Sequence, residues 1–146
     1  MTTLILATVT LVVPDYEAGI AFYRDALGFD LVEDTDLGAD ENGAKRWVVV
    51  APQQGAALLL AKAADEAQRA AIGNQSGGRV SFFLHTDDFA DTHARFVANG
   101  VTFLEQPRSE PYGPVAVFSD PFGNRWALIE PKASDDARPT NAKERE

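Results

Sequence analysis

The chain holds two histidines and no cysteine, so few side chains could act as nucleophile, base or soft metal ligand. Thiolate metal sites, disulfides and a cysteine nucleophile are excluded outright. His85 stands out because it lies in "VSFFLHT", where strand alternation would put Ser81, Phe83 and His85 on one face and Phe82 and Leu84 on the other. An imidazole beside an aromatic ring and a hydroxyl could serve as general acid or base, or hold a ligand by a hydrogen bond. The plain alternative is a hydrogen-bonded structural histidine near a strand end. His93 falls mid-helix on an apolar stripe, where a half-buried packing role is expected.

Two other stretches resemble ligand loops and fail in detail. "DTDLGADENG", residues 34–43, is acidic enough for calcium, but Gly38 occupies the fifth ligand position and Lys45 stands where a bidentate Glu is needed. It reads as a solvated acidic loop. "GNQSGG", residues 73–78, lacks both the Walker lysine and the dinucleotide spacing, so it reads as a linker.

The elements that would position these residues repeat. "TVTLVVPDYEAGIAFYRDALGFDL" and "SFFLHTDDFADTHARFVANGVTF" each give strand, capping Asp, amphipathic helix, Gly stop and a new strand. Thr8 aligns with Ser81, Leu11 with Leu84, Asp15 with Asp88, Tyr16 with Phe89 and Tyr23 with Phe96. After a one-residue gap, Gly28 meets Gly100 and Phe29 meets Val101. Tyr16, Ile20, Tyr23 and Leu27 form one helical stripe. Further strands are expected at "RWVVVAP", "AALLLAK", "VTFLEQ", "YGPVAVFSDP" and "NRWALIEP", the last two joined by the "DPFG" turn, with Trp126 facing the helix layer. Each copy therefore reads β-α-β-β-β, and "AADEAQRAAI" suits a short connecting helix. The expected organisation is one domain over 1–131 with modules at about 4–62 and 79–131, a connector at 63–78, and a polar, disordered tail over 132–146.

The bulk numbers fit a soluble single domain: 146 residues, 45% hydrophobic and 24% charged. The net charge of −9 argues against nucleic acid as a partner. No apolar run approaches bilayer length and the N-terminus lacks a signal-peptide pattern, so a cytoplasmic protein with no membrane partner is expected.

"TVTLVVPDYEAGIAFYRDALGF" and the closing "YGPVAVFSDPFGNRWALIEP" resemble the vicinal oxygen chelate superfamily of glyoxalases, bleomycin-resistance proteins and dioxygenases. The resemblance spans roughly Leu4 to Pro131. It implies an α+β fold in which two βαβββ modules form a curved mixed sheet around a cavity, and a homodimer. In metal-dependent members, the first and last strand of each module supply the ligands. The matching positions here are Thr8, Ser81, Ala127, and either Leu58 or Leu59, none of which is a usable donor. No cofactor or metal is expected. By the same resemblance the Ser81 face, with Phe83 and His85, points into the cavity. Trp47 at the start of a middle strand and Tyr112 at a Pro-Tyr-Gly turn could add aromatic lining, and Thr8, Thr10 and Ser81 hydroxyls to orient a ligand, so these seven are the expected ligand-binding residues. Binding or sequestration of a small or mid-sized organic ligand, of bleomycin-resistance type, is the expected function. The alternative is a metal-independent glyoxalase-, lyase- or dioxygenase-like enzyme using His85 as acid or base.

Overall fold

The computed structural model describes residues 1–132; the expected tail beyond them lies outside the described residues. Module one comprises β1 (Thr8–Val13), α1 (Tyr16–Ile20) running on as a π-helical turn (Ala21–Ala26), β2 (Asp30–Asp40), β3 (Gly43–Ala51) and β4 (Ala57–Lys62). A short α2 (Glu66–Ala71) lies in the connector. Module two comprises β5 (Val80–His85), α3 (Phe89–Ala98), β6 (Thr102–Phe103), β7 (Arg108–Glu110), β8 (Gly113–Ser119) and β9 (Arg125–Ile129). The strands form two hydrogen-bonded sheets, ordered β1-β4-β3-β2 and β5-β9-β8-β6, with β7 also paired to β8. In each sheet the first strand runs parallel to the last, as a helical crossover requires, and the other pairings are antiparallel.

The two copies fold alike because their key residues recur in the same roles. Asp15 accepts from the Ala18 amide and Asp88 from the Asp91 amide, each capping its helix at the third residue on. Tyr16 and Phe89, Tyr23 and Phe96, and Phe29 and Val101 are all buried. Gly28 and Gly100 end the helices at φ of 83° and 88°, a region where a side chain would be strained. The one-residue gap between the copies is taken up by the π turn. The Phe29 amide reaches back six residues to the Tyr23 carbonyl, whereas Val101 reaches back five to Phe96. A wider turn absorbs the extra residue and keeps the flanking apolar positions in register.

One core joins the modules. It takes Leu11, Val13, Val48, Val50, Leu58 and Leu60 from the first sheet, Phe118, Trp126 and Leu128 from the second, and the apolar stripes of α1 and α3. Its polar centre is Asp120, 3% exposed. Asp120 Oδ1 accepts from the Phe122, Gly123 and Asn124 amides, and Oδ2 accepts from Asn124 Nδ2 and from the Tyr23 hydroxyl at 2.7 Å. Trp126 Nε1 donates to the same hydroxyl at 3.1 Å. The turn that closes module two is thereby bonded to the helix of module one.

The connector is anchored rather than loose. Gln75 Oε1 accepts from the Val12 amide at 2.6 Å and its Nε2 donates to the Thr10 carbonyl at 3.2 Å, so one side-chain amide serves as a strand neighbour for the free edge of β1. Gly73 packs so closely on the β8–β9 turn that a Cβ there would fall 1.8 Å from the Phe122 carbonyl oxygen.

Three expectations need correction. The acidic stretch 34–43 is not a loop: β2 continues to Asp40 and pairs with β3 out to Gly43, making a long ribbon with bulges at Val32 and at Leu37–Gly38. Backbone pairing sustains it without apolar alternation, which is why its polar sequence concealed it. "VTFLEQ" supports only a two-residue strand, and β7 replaces its continuation. The apolar run over residues 4–13 suits a strand throughout, but the first strand begins at Thr8, leaving Leu4, Ile5 and Leu6 exposed.

The Asp120 network gives a pH prediction. Burial, and then the neighbouring Asp120 carboxylate, push the Tyr23 phenol well above its ordinary value. A phenol whose folded pKa exceeds its unfolded one holds its proton longer in the native state. Its contribution is therefore present below about pH 10 and declines as pH rises further. Tyr23→Phe should lose about 1–3 kcal/mol at pH 7 in urea denaturation and show a shallower loss of stability above pH 10 than the wild type. For the connector, Gln75→Ala should speed hydrogen exchange of the Val12 amide selectively, leaving the Leu11 and Val13 neighbours of the β1–β4 ladder protected.

Candidate functional site

Each sheet has one face in the shared core and one open face, and of the expected site residues Thr8, Thr10, Trp47, Phe83 and His85 lie on the open faces. On the second sheet Phe82 and Leu84 pack inward. Phe83 and His85 point the other way, beside Ala127 and Ile129 in the β5–β9 register. Behind them Val115, Ala127 and Ile129, flanked by Val80 and Val117, make a small buried apolar floor. Phe83 stands above this floor at 65% exposure. His85 is exposed at the strand end, and among the described residues no hydrogen bond fixes its ring.

Ser81 does not join them as strict alternation required. The β5–β9 register shifts between Val80 and Phe82, making Ser81 the extra residue of a β-bulge. Its hydroxyl shares a 2.7 Å hydrogen bond with Ser76, which also bonds the Arg79 carbonyl. In this conformation that hydroxyl serves the connector.

On the first sheet the open face runs across all four strands. Thr8 and Thr10 lie opposite Ala57 and Leu59, Leu59 lies opposite Val49, and Val49 and Trp47 lie opposite Glu33 and Thr35. Thr8, Thr10 and Trp47 are exposed, Trp47 at 43%. Glu33, Thr35, Val115 and Ile129 are members of these faces that the sequence did not reveal. The β2 bulge at Val32 hides the alternation of the first two. Tyr112 is set apart, at the turn between β7 and β8, two strands across from β5, and 44% exposed. Trp126 is buried in the helix layer as expected, and His93 is half-buried with its ring between Phe89 and Phe103.

The register also decides between Leu58 and Leu59. Leu58 is a core residue, whereas Leu59 lies on the open face opposite Thr10. The four positions matching the family ligand set are therefore Thr8, Leu59, Ser81 and Ala127. Two alkyl groups, a methyl-bearing alcohol and a hydroxyl already bonded to Ser76 do not fit a divalent metal. Among the described residues there is no group of three or more His, Asp or Glu side chains placed to hold one.

Of the two best-defined hollows, about 410 and 280 Å³, one lies between α3 and the β6–β7 connection and the other beside the ends of β8 and β9. No helix among the described residues is long and apolar enough to cross a membrane.

Comparison with known proteins agrees with this architecture. An uncharacterized protein of Shewanella frigidimarina (strain NCIMB 400) is 47% identical over 124 residues, covering 84% of this chain and 90% of the relative. Among solved structures, UcmS2 is similar at 30% identity and TM-score 0.73, covering 89% of this chain and 99% of that one. TnmS3, an antibiotic binding protein from Streptomyces sp. CB03234, is similar at 30% identity and TM-score 0.69, covering 90% and 99%. Residues 5–128 match the model of one protein family. With its paired modules, crossover helices and shared core, the chain belongs to the Glyoxalase/Bleomycin resistance protein/Dioxygenase superfamily.

Proposed function

We propose that this protein is a metal-independent, cytosolic binding protein that encloses a small or mid-sized organic ligand between the open sheet faces of a homodimer. The observation that carries this reading is the pairing of two features. The open faces present Trp47, Phe83, Thr8 and Thr10 over apolar floors, and the positions where metal-dependent relatives place ligands hold Thr8, Leu59, Ser81 and Ala127. Aromatic surface and hydroxyls supply affinity and orientation, which is all that sequestration requires. The similarity to an antibiotic binding protein supports the same class of function. The absence of cysteine suits a reducing compartment.

A second copy is the natural cover for these surfaces. Phe83, Trp47 and the segment Leu4–Leu6 expose large apolar side chains that a lone chain leaves in water. The modules of one chain meet through their helix-covered faces, so the open faces remain available to a partner. Light scattering should give twice the chain mass.

The functional test is a thermal-shift screen over aromatic metabolites, 2-oxo acids and glycopeptide antibiotics, with and without divalent metals. A ligand should raise Tm in proportion to ln(1 + [L]/Kd), equally in the presence of EDTA. Trp47→Ala or Phe83→Ala should weaken binding about tenfold or more, as loss of a buried aromatic anchor does. His85→Ala should change affinity less than about threefold. The acid–base alternative predicts instead a pH-dependent turnover abolished by His85→Ala in a folded protein. One tightly held transition metal per chain would overturn the metal-independent reading.

A further inference from the structure

The β2–β3 ribbon brings a carboxylate to the aromatic end of the first sheet's open face. Thr35 lies opposite Trp47 and Glu33 opposite Val49, so Glu33 is the diagonal neighbour of Trp47 on one face. Side-chain bonding confirms the sorting. Thr35 Oγ1 donates to Glu33 Oε2 at 2.9 Å. Asp34 points to the helix side, where it pairs with Arg46, whose guanidinium lies over the Tyr16 ring. Hydrogen bonds from Arg46 hold the Asp34 carboxyl below its ordinary range, so that charge is already matched. Among the described residues no cation pairs with Glu33, whose only partner is the Thr35 hydroxyl. Lys45 shares the face but lies farther out along β3, opposite the Leu37–Gly38 bulge. The group bordering the apolar floor of Val49 and Leu59 is therefore the carboxylate.

Deepening the binding reading above, on which it rests, we propose that Glu33 and Trp47 form a cation-selecting end of the site and that the ligand is a planar organic cation. Its ring would stack on the indole while its protonated nitrogen faces the carboxylate, so that the cation–π attraction and the ion pair act together. The surrounding field favours such a ligand, since the chain carries a net charge of −9.

Isothermal titration of the full-length protein with three planar probes tests this: proflavine, a cation; acridone, neutral; and anthraquinone-2-sulfonate, an anion. Proflavine should bind about tenfold or more tightly than the other two at low salt, and the preference should shrink in 0.5 M NaCl. Glu33→Gln keeps shape and removes charge. It should weaken proflavine about tenfold while leaving acridone unchanged, and circular dichroism should show the fold intact. If the probes bind alike and Glu33→Gln alters none of them, the charge selection is wrong and ligand binding stands. If no probe binds, the planar-cation proposal fails, while the Phe83 dependence of thermal-shift hits judges the parent reading separately.

Discussion

The structure depends on a buried carboxylate. Asp120 sits almost out of water with five hydrogen-bond donors around it: three amides and an Asn124 side chain from its own turn, and the Tyr23 hydroxyl from the other module. A buried charge is tolerated only when fully bonded, so Asp120 fixes both the turn and the position of the α1–π helix against it. Trp126 then packs against Tyr23, Phe29, Phe82 and Phe118 at ring distances of 4.4–6.0 Å. A four-stranded module with one helix has too little apolar cover to stand alone. Joined through these contacts, two modules share one core.

That joining determines where function can lie. Because the helix-covered faces are used up in the core, the remaining sheet faces are where Trp47, Phe83, Thr8 and Thr10 meet solvent. The first face is polar at both margins, with Thr8 and Thr10 on β1 and Glu33 and Thr35 on β2. The second is apolar beneath Phe83. Brought together across a dimer, they would combine an apolar stacking surface with a polar, negatively charged rim. Gln75 and Ser76 add a constraint from the connector: one occupies the β1 edge and the other the Ser81 hydroxyl. The edge strands of both sheets are thus tied to the connector that joins them.

Much of this architecture was legible because the repeat encodes it in residues with clear physical roles. Asp15 and one of Asp87 and Asp88 as caps, Gly28 and Gly100 as stops, and the aligned aromatic stripes announce paired β-α-β-β-β units before any coordinate is known. Trp126 could be assigned to the core from alternation with Ala127. The candidate site was less legible, since small departures from alternation move side chains between faces. A bulge at Ser81 breaks its expected kinship with Phe83 and His85, and a bulge at Val32 masks the placement of Glu33 beside Trp47. The acidic ribbon escaped notice because an edge hairpin held by backbone bonds needs no apolar code.

In the proposed dimer, a ligand would be held without metal between the open faces of the two protomers, the first sheet of one against the second sheet of its partner. Complementation between two disabled variants tests it most directly. Thr10→Arg blocks one face and Phe83→Arg the other, so each homodimer should fail to bind any ligand found by thermal shift. Refolding the two variants together should restore binding, with one intact site in every mixed dimer. A mixture as inactive as its parents, from chains shown to exchange, would contradict the account.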